Sequence, residues 1–154
     1  MTKILMVCLG NICRSPLAKY IFESKINDIN SDIIVDSCGT ASYHLGEKAD
    51  ERTISIAKQN DLDITNHRAS QFKKSDFDTY DIIYAMDINN YNQLIRLSDN
   101  NTNKSKIRLF LEDAYPDKKL DVPDPYYGNM KSFDNTYKII ENACEIIIKK
   151  ISNY

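Results

Sequence analysis

The sequence predicts a three-layer α/β sandwich, in which a parallel sheet of four strands carries helices on both faces. Short apolar runs alternate along the chain with segments of helical periodicity, a pattern typical of parallel strands joined by right-handed crossovers. The run at residues 80–86 is almost continuously apolar, as expected for a strand covered on both faces. With 154 residues, of which 42% are hydrophobic and 27% charged, residues 1–154 are expected to form a single domain.

The first strand–loop–helix unit occupies the start of the chain. Residues 3–8 form an apolar run that stops at Gly10 and Asn11, which predicts a strand followed by a loop. Ser15 and Pro16 have the pattern of a helix N-cap followed by the first helical residue. Apolar residues then recur at helical spacing as far as Ile26, so a helix is predicted from Pro16 onward.

The remaining elements follow from the same patterns. Residues 33–38 predict a second strand, residues 39–48 a loop and residues 49–60 a helix. After the third strand, Asp87 can cap a helix over residues 88–97.

The polar residues 98–104 predict a solvated loop before a fourth strand at residues 106–110. A last helix over residues 131–152 carries an apolar stripe that is expected to pack on the sheet. That stripe consists of Phe133, Tyr137, Ile140, Cys144, Ile147 and Ile151.

Composition excludes several classes of function. A net charge of −2 gives no whole-chain reason to expect nucleic acid or a membrane surface as a partner. Four irregularly spaced cysteines do not form the disulfide framework of a small secreted domain, and no signal-type cleavage pattern follows the first apolar run, so a reducing cytoplasm is expected. No CxxC motif occurs, and His44 and His67 are far apart in sequence, so no metal site is predicted.

The loop after the first strand contains the strongest chemical signal. Cys8, Arg14, Ser15 and Pro16 form the pattern C-x5-R-S-P, for which composition gives about 0.0004 chance matches. Such a loop lies beyond the carboxyl end of its strand, where ligands of parallel sheets gather. Its backbone N–H groups and the following helix N-terminus suit an oxyanion, and an arginine fork matches two phosphate oxygens.

The same positive field would activate a thiol. A free cysteine with a pKa of about 8.5 is mostly protonated at neutral pH, whereas one with a pKa of about 5 is a thiolate nucleophile. The alternative is that Cys8 is an ordinary buried cysteine and Arg14 a surface residue. For Cys13 two interpretations stay open: it is structural, or it forms a reversible disulfide with Cys8 that protects the thiolate.

A thiolate that attacks a phosphoester needs an acid for the departing oxygen, and Asp124 is the candidate. It lies between Pro123 and Pro125 and is followed by Tyr126 and Tyr127. Taken alone, this segment would be an ordinary proline-rich turn. Its pairing with the loop at Cys8 favours the catalytic interpretation.

These residues resemble the low-molecular-weight protein tyrosine phosphatase family. VCLGNICRSP near the start and DPYYG near the end match the two hallmark motifs of that family. Lesser similarities lie in VDSCGT, in residues 43–52, in NHRASQF and in the MD pair at residues 86–87, so the resemblance covers nearly the whole chain. It implies the family's four-stranded parallel sheet with flanking helices.

The resemblance also implies roles for individual residues. Cys8 would form a phosphocysteine, Arg14 would clamp the phosphoryl oxygens, and Asp124 would act first as acid and then as base. Ser15 would stabilise the thiolate. A phosphate or sulfate ion would sit in the loop formed by Leu9, Gly10, Asn11, Ile12, Cys13, Arg14 and Ser15.

Further residues would support the loop and the substrate. Asn11 would take a left-handed backbone conformation supported by Ser37 and His67. Tyr43 and Tyr126, and more weakly Tyr127, would contact the phenyl ring of phosphotyrosine; as isolated residues they would be simple surface aromatics. Neither a metal nor a cofactor is implied, and the partners would be phosphotyrosine-containing proteins.

Three alternatives compete with this function. Related phosphoarginine phosphatases carry threonine where this chain has Ile12, which disfavours that substrate. Arsenate reductases of similar fold need two additional cysteines after the third strand, and residues 84–97 contain none. A noncatalytic phosphopeptide-binding module could lose the nucleophile or the acid, but Cys8 and Asp124 are both present.

Overall fold

The computed structural model describes residues 1–29 and 31–152, and within them the predicted parallel sheet is present. The sheet has four strands, β1 (Thr2–Cys8), β2 (Ile33–Gly39), β3 (Ile82–Ala85) and β4 (Ile107–Leu109). Their order in the sheet is β2-β1-β3-β4. All three pairings are parallel, which confirms the predicted fold class.

Strand β1 is central, and its register brings the candidate loop to the edge where the strands end. Cys8 pairs with Gly39, and Val7 pairs with Ala85, so the carboxyl ends of β1, β2 and β3 lie side by side. The order of strands reverses between β1 and β3, and crevices for ligands form at such reversals. The loop after Cys8 therefore opens at this point of the sheet.

Seven helices in the described part of the chain cover the sheet. They are α1 (Arg14–Asn27), α2 (Glu51–Gln59), α3 (Asp76–Thr79), α4 (Ile88–Leu97), α5 (Asn101–Lys106), α6 (Phe110–Ala114) and α7 (Met130–Ser152). One core contains residues of α1, α2, α6 and α7 together with Ile4, Met6 and Tyr84 of the sheet. A second core, on the other face, contains residues of α3 and α4 with Leu5, Val7 and Ile83. No helix among the described residues is long and apolar enough to span a bilayer.

Several sequence predictions are confirmed at residue resolution. Helix α4 begins after Asp87, whose carboxylate accepts from Asn90 N at 2.8 Å, while Asp87 N donates to the Asn90 side chain. The stripe of α7 lies in the first core, with Ile151 only half-buried. Besides contributing to the sheet's core, α7 lies directly beside α1, α2 and α6.

Two local predictions are wrong. Helix α1 begins at Arg14 with Cys13 as its N-cap, not with Ser15 as cap and Pro16 as first residue. The Ser15 hydroxyl contacts Cys8 and the Cys38 carbonyl instead of capping the helix. Residues 98–104 are not a continuous loop, because the Asn100 side chain accepts from Asn103 N and begins the short helix α5.

Candidate active site

Residues 8–15, called here the phosphate loop, connect β1 to the N-terminus of α1. The Cys8 thiol ends the central strand, and its Sγ lies 3.0 Å from Ser15 Oγ. Cys8 is almost fully buried, yet it lines a cleft of about 200 Å³ at the carboxyl edge of the sheet. The candidate nucleophile is thus shielded from most of the solvent but can be reached from the cleft.

The backbone of the phosphate loop is turned with its carbonyl groups outward. The carbonyl oxygens of Cys8, Leu9 and Ile12 accept from Thr40 N, Ala41 N and Asp50 N at 2.9–3.0 Å. By contrast, the N–H groups of residues 9–14 donate no hydrogen bond to any residue within 1–29 and 31–152. Unpaired buried N–H groups are costly, so this concave row of donors, with the helix dipole of α1, suits an anion.

Asn11 holds the loop in its strained shape. Its φ of 58° is in the left-handed region. The side-chain amide donates to Ser15 Oγ at 2.8 Å and to Ser37 Oγ at 3.1 Å, and its oxygen accepts from Ser70 N at 3.0 Å. His67 Nε2 lies 2.7 Å from the Asn11 carbonyl oxygen, a contact in which the imidazole N–H donates. Burial lowers the pKa of His67, so the ring is neutral at neutral pH.

Arg14 is buried, and two hydrogen bonds fix the orientation of its guanidinium group. Nη1 donates to Asp87 Oδ2 at 2.6 Å and to the Val122 carbonyl at 3.0 Å. Burial opposes its charge, but the attraction of Cys8, followed by that of Asp87, outweighs burial and raises the pKa of Arg14. Since these bonds occupy Nη1, Nε and Nη2 are the donors left for an oxyanion in the cleft.

Asp124 lies across the cleft from the phosphate loop. Its Oδ2 is 3.7 Å from Arg14 Nη2, and its Oδ1 accepts from Tyr126 N at 3.1 Å. The side chain is 41% exposed. It therefore lies at the opening, where a leaving group would depart.

Aromatic side chains form the walls of the cleft. Tyr43, Tyr126 and Tyr127 all line it, as does His44, whose Nδ1 is 2.6 Å from Glu47 Oε2. Tyr126 is half-buried, whereas Tyr43 and Tyr127 are exposed. A larger groove of about 510 Å³ lies beside α2, but its lining contains neither a cysteine nor an arginine.

The other three cysteines are free, buried thiols. Burial raises the pKa of Cys13 to about 12, and burial likewise raises the pKa values of Cys38 and Cys144. These thiols are protonated at neutral pH. Cys13 also lines the cleft together with Cys8.

Sequence reasoning missed some members of the site. The sequence patterns indicate only a capping role for Asp87, which also holds Arg14, and they indicate no role for His44 or Ser70. Arg52, which contacts the segment around Asp124, was also missed. The only signal for them was their position in the lesser stretches of family similarity. Within residues 1–29 and 31–152, no group of three metal-ligating side chains occurs.

Comparisons with known proteins all point to one protein family. Residues 3–154 match the family model described as low molecular weight phosphotyrosine protein phosphatase. A relative of that name from Schizosaccharomyces pombe is 36% identical over 153 residues, covering 97% of each chain.

Solved structures give the same result. A protein tyrosine phosphatase from Entamoeba histolytica, with Hepes in its active site, is similar with a TM-score of 0.91 and 37% identity, over 99% of this chain and 98% of that one. Vibrio vulnificus Wzb in complex with benzylphosphonate is similar with a TM-score of 0.85 and 30% identity, over 97% and 98% of the two chains.

Proposed function

Because the chain belongs to the low molecular weight phosphotyrosine protein phosphatase family, we propose that it hydrolyses phosphotyrosine in proteins through a phosphocysteine intermediate. One observation carries the proposal: a thiol, a buried arginine, a carboxyl group and a row of N–H groups that have no partner among the described residues converge on one cleft. Residues 1–154 would act as a single phosphatase domain. Four free thiols also favour a reducing cytoplasm as its location.

In the first step, the Cys8 thiolate attacks the phosphorus of the aryl phosphate. An S–P bond forms as the bond from phosphorus to the phenolic oxygen breaks, and the neutral Asp124 carboxyl gives its proton to that oxygen. Arg14 and the N–H groups of the loop bind the three equatorial oxygens and stabilise their charge. Ser15 Oγ, 3.0 Å from the sulfur, can donate to the thiolate before and after the attack.

In the second step, the ionised Asp124 accepts a proton from water. The water oxygen attacks phosphorus, the S–P bond breaks, and inorganic phosphate leaves with the Cys8 thiolate restored. Every charge that develops is matched by a residue of the cleft, so neither step needs a metal or a cofactor. A phosphate or sulfate ion should accordingly occupy the same loop.

The walls of the cleft support phosphotyrosine as the substrate. Tyr43 and Tyr126 can pack against a phenyl ring while its phosphate reaches the loop. A phosphoserine side chain is too short to span that depth with its backbone outside. Ile12, which also lines the cleft, offers no hydroxyl to a guanidino group.

The proposal is tested with peptides that carry phosphotyrosine, phosphoarginine or phosphoserine, and with arsenate reduction as a separate assay. We expect phosphotyrosine to have the highest kcat/KM. Cys8→Ser should abolish turnover of para-nitrophenyl phosphate while it still binds inorganic phosphate. Full activity in that variant would overturn the mechanism, and absence of turnover in the wild type would favour a noncatalytic binding module.

A further inference from the structure

We propose that Arg52 is a positioning residue that ties the segment bearing Asp124 to the phosphate loop. This inference rests on the proposed function, since it assigns a role to Arg52 in presenting the acid. The segment is residues 121–128, called here the acid segment. Arg52 lies on α2, outside both hallmark motifs.

The guanidinium of Arg52 holds the acid segment by its backbone. Nη2 donates to the Tyr126 carbonyl at 2.9 Å, and Nη1 donates to the Gly128 carbonyl at 3.3 Å. Its central carbon lies 4.5 Å from the ring centroid of the buried Phe133. Arg52 thus contacts the part of the segment that directly follows Asp124.

The other side of the guanidinium is fixed by Asp50. Arg52 Nε and Nη2 donate to the two carboxylate oxygens of Asp50, each at 3.0 Å, in a bidentate pair. Asp50 N donates in turn to the Ile12 carbonyl of the phosphate loop at 2.9 Å. A continuous path therefore runs from the loop through Asp50 and Arg52 to the acid segment.

Other anchors of the acid segment lie before Asp124. Val122 N donates to the Met86 carbonyl at 2.9 Å, and the Pro123 carbonyl accepts from Thr136 at 3.3 Å. For residues 125–128, the bonds from Arg52 are the only hydrogen bonds to residues outside the segment in the described part of the chain. Without Arg52, residues 125–128 would keep no hydrogen bond to the rest of the described residues, and only packing would hold them in place.

Loss of this anchor should affect the acid more than the binding of phosphate. Phosphate is bound by the loop and Arg14, which Arg52 does not contact by hydrogen bond. Proton donation instead depends on the position of the half-exposed Asp124 carboxyl group relative to the leaving oxygen. A displacement of about 1 Å can lower the rate about 100-fold. A residue that merely stabilised the fold would not produce this selectivity.

The test compares Arg52→Met with the wild type on a series of aryl phosphates whose leaving groups differ in pKa. We measure kcat/KM, which reports the steps up to cleavage of the ester, and the inhibition constant of inorganic phosphate. We expect kcat/KM for phenyl phosphate to fall about 10- to 100-fold, with a much smaller loss for para-nitrophenyl phosphate. The inhibition constant of phosphate should stay unchanged.

Two further variants complete the design. Arg52→Lys should restore part of the lost rate, because it keeps the charge and one donor but not the fork. Arg108→Met is the matched control: Arg108 lies on the edge strand β4, pairs with Asp113 at 3.2 Å and is not among the residues that line the cleft, so its removal should leave every rate unchanged.

The outcomes separate the two proposals. If the wild type hydrolyses aryl phosphates but Arg52→Met slows all of them equally, or weakens phosphate binding in parallel, the positioning role is wrong. If the wild type has no such activity, the proposed function itself fails. Should Arg52→Met not fold, Asp50→Asn decides, since it removes the carboxylate that orients Arg52; an unchanged leaving-group dependence there would overturn the inference.

Discussion

At the scale of single residues, His67 couples protonation to the shape of the phosphate loop. Burial lowers the pKa of this imidazole below its ordinary value of 6.5, despite the opposing hydrogen bond to the Asn11 carbonyl. The unfolded chain therefore binds a proton at a higher pH than the folded chain does. The contribution of His67 to stability is complete above pH 6.5 and is lost as the pH falls below it.

The variant His67→Gln tests this coupling. Glutamine can still donate to the Asn11 carbonyl, but it does not titrate. We expect the free energy of unfolding of the wild type to fall more steeply with decreasing pH below 6.5 than that of the variant, as measured by urea denaturation at several pH values. The same slope in both proteins would contradict the prediction, and measurements near pH 8 serve as the reference.

Asp124 allows a second prediction at the same scale. Asp124→Ala removes the proposed proton donor, so aryl phosphates with poor leaving groups should slow by about 100- to 10,000-fold. Esters with good leaving groups should slow far less, because their oxygens depart without a proton. Equal slowing across a series of substituted phenyl phosphates, measured as kcat/KM, would argue against an acid role.

The sequence predicts the role of a residue only where the partners of that residue are close to it in sequence. Cys8, Arg14 and Ser15 are close in sequence, and the type of each residue carries its chemistry. Asp87 and Arg52 act through partners 73 and 74 residues away, so no local pattern points to those contacts. Such positions become visible only after the chain has folded.

At the scale of elements, the end of β2 is packed directly against the phosphate loop. A Cβ atom at Gly39 would lie 2.6 Å from the Leu9 carbonyl oxygen and 3.2 Å from Asn11 N. Both atoms belong to the backbone of the loop, so one of the two segments would have to move. Glycine is needed here because of a close approach of two backbones.

Gly39→Ala should therefore damage both the loop and the fold. We expect a loss of about 1–3 kcal/mol in the free energy of unfolding, together with weaker binding of inorganic phosphate, measured by calorimetry. Gly46→Ala is the control: its φ of 78° makes alanine unfavourable, but its Cβ would meet no atom within 4 Å. That variant should lose about 1 kcal/mol of stability and keep its phosphate affinity; matching affinities in the two variants would refute the packing argument.

The strands and the longer helices were predictable, and the short helices were not. Strands β1 and β2 and helices α1, α4 and α7 have enough residues for periodicity or caps to identify them. Helices α3 and α6 contain four and five residues, too few for a helical repeat to be recognised. Helix α5 depends on a single asparagine cap within a stretch whose composition is typical of a loop.

For the whole molecule, the N–H groups of the phosphate loop, which donate to no residue within 1–29 and 31–152, predict that a bound anion stabilises the fold. Bound phosphate would satisfy the N–H groups of residues 9–14 in the native state only. A ligand at 100 times its Kd adds about 2.7 kcal/mol to stability, or about 5–10 °C in Tm for a domain of this size. Scanning fluorimetry with phosphate, against sodium chloride of equal ionic strength, measures the shift.

Arg14→Lys should reduce that shift, because lysine keeps the charge but not the planar fork. An equal rise of Tm with chloride would attribute the effect to ionic strength, and no rise with phosphate would mean that the loop does not bind the ion.

The fold class of the molecule followed from alternation of strands and helices, whereas the strand order did not. The residues of β3 do not indicate whether this strand pairs with β1 or with β2. That choice depends on how the helices divide between the two faces. It matters for function, since it brings Asp87, directly after β3, beside the loop after β1.

The distribution of thiols has a practical consequence for handling the protein. Cys38 and Cys144 lie in the cores, and Cys13 keeps its proton although it lines the cleft; Cys8 lines the same cleft. Oxidation in air would therefore affect Cys8, the proposed nucleophile, first, and a preparation could lose its activity while its fold stays intact. A fresh reductant is therefore a better guarantee of an active sample than a spectrum typical of the native fold.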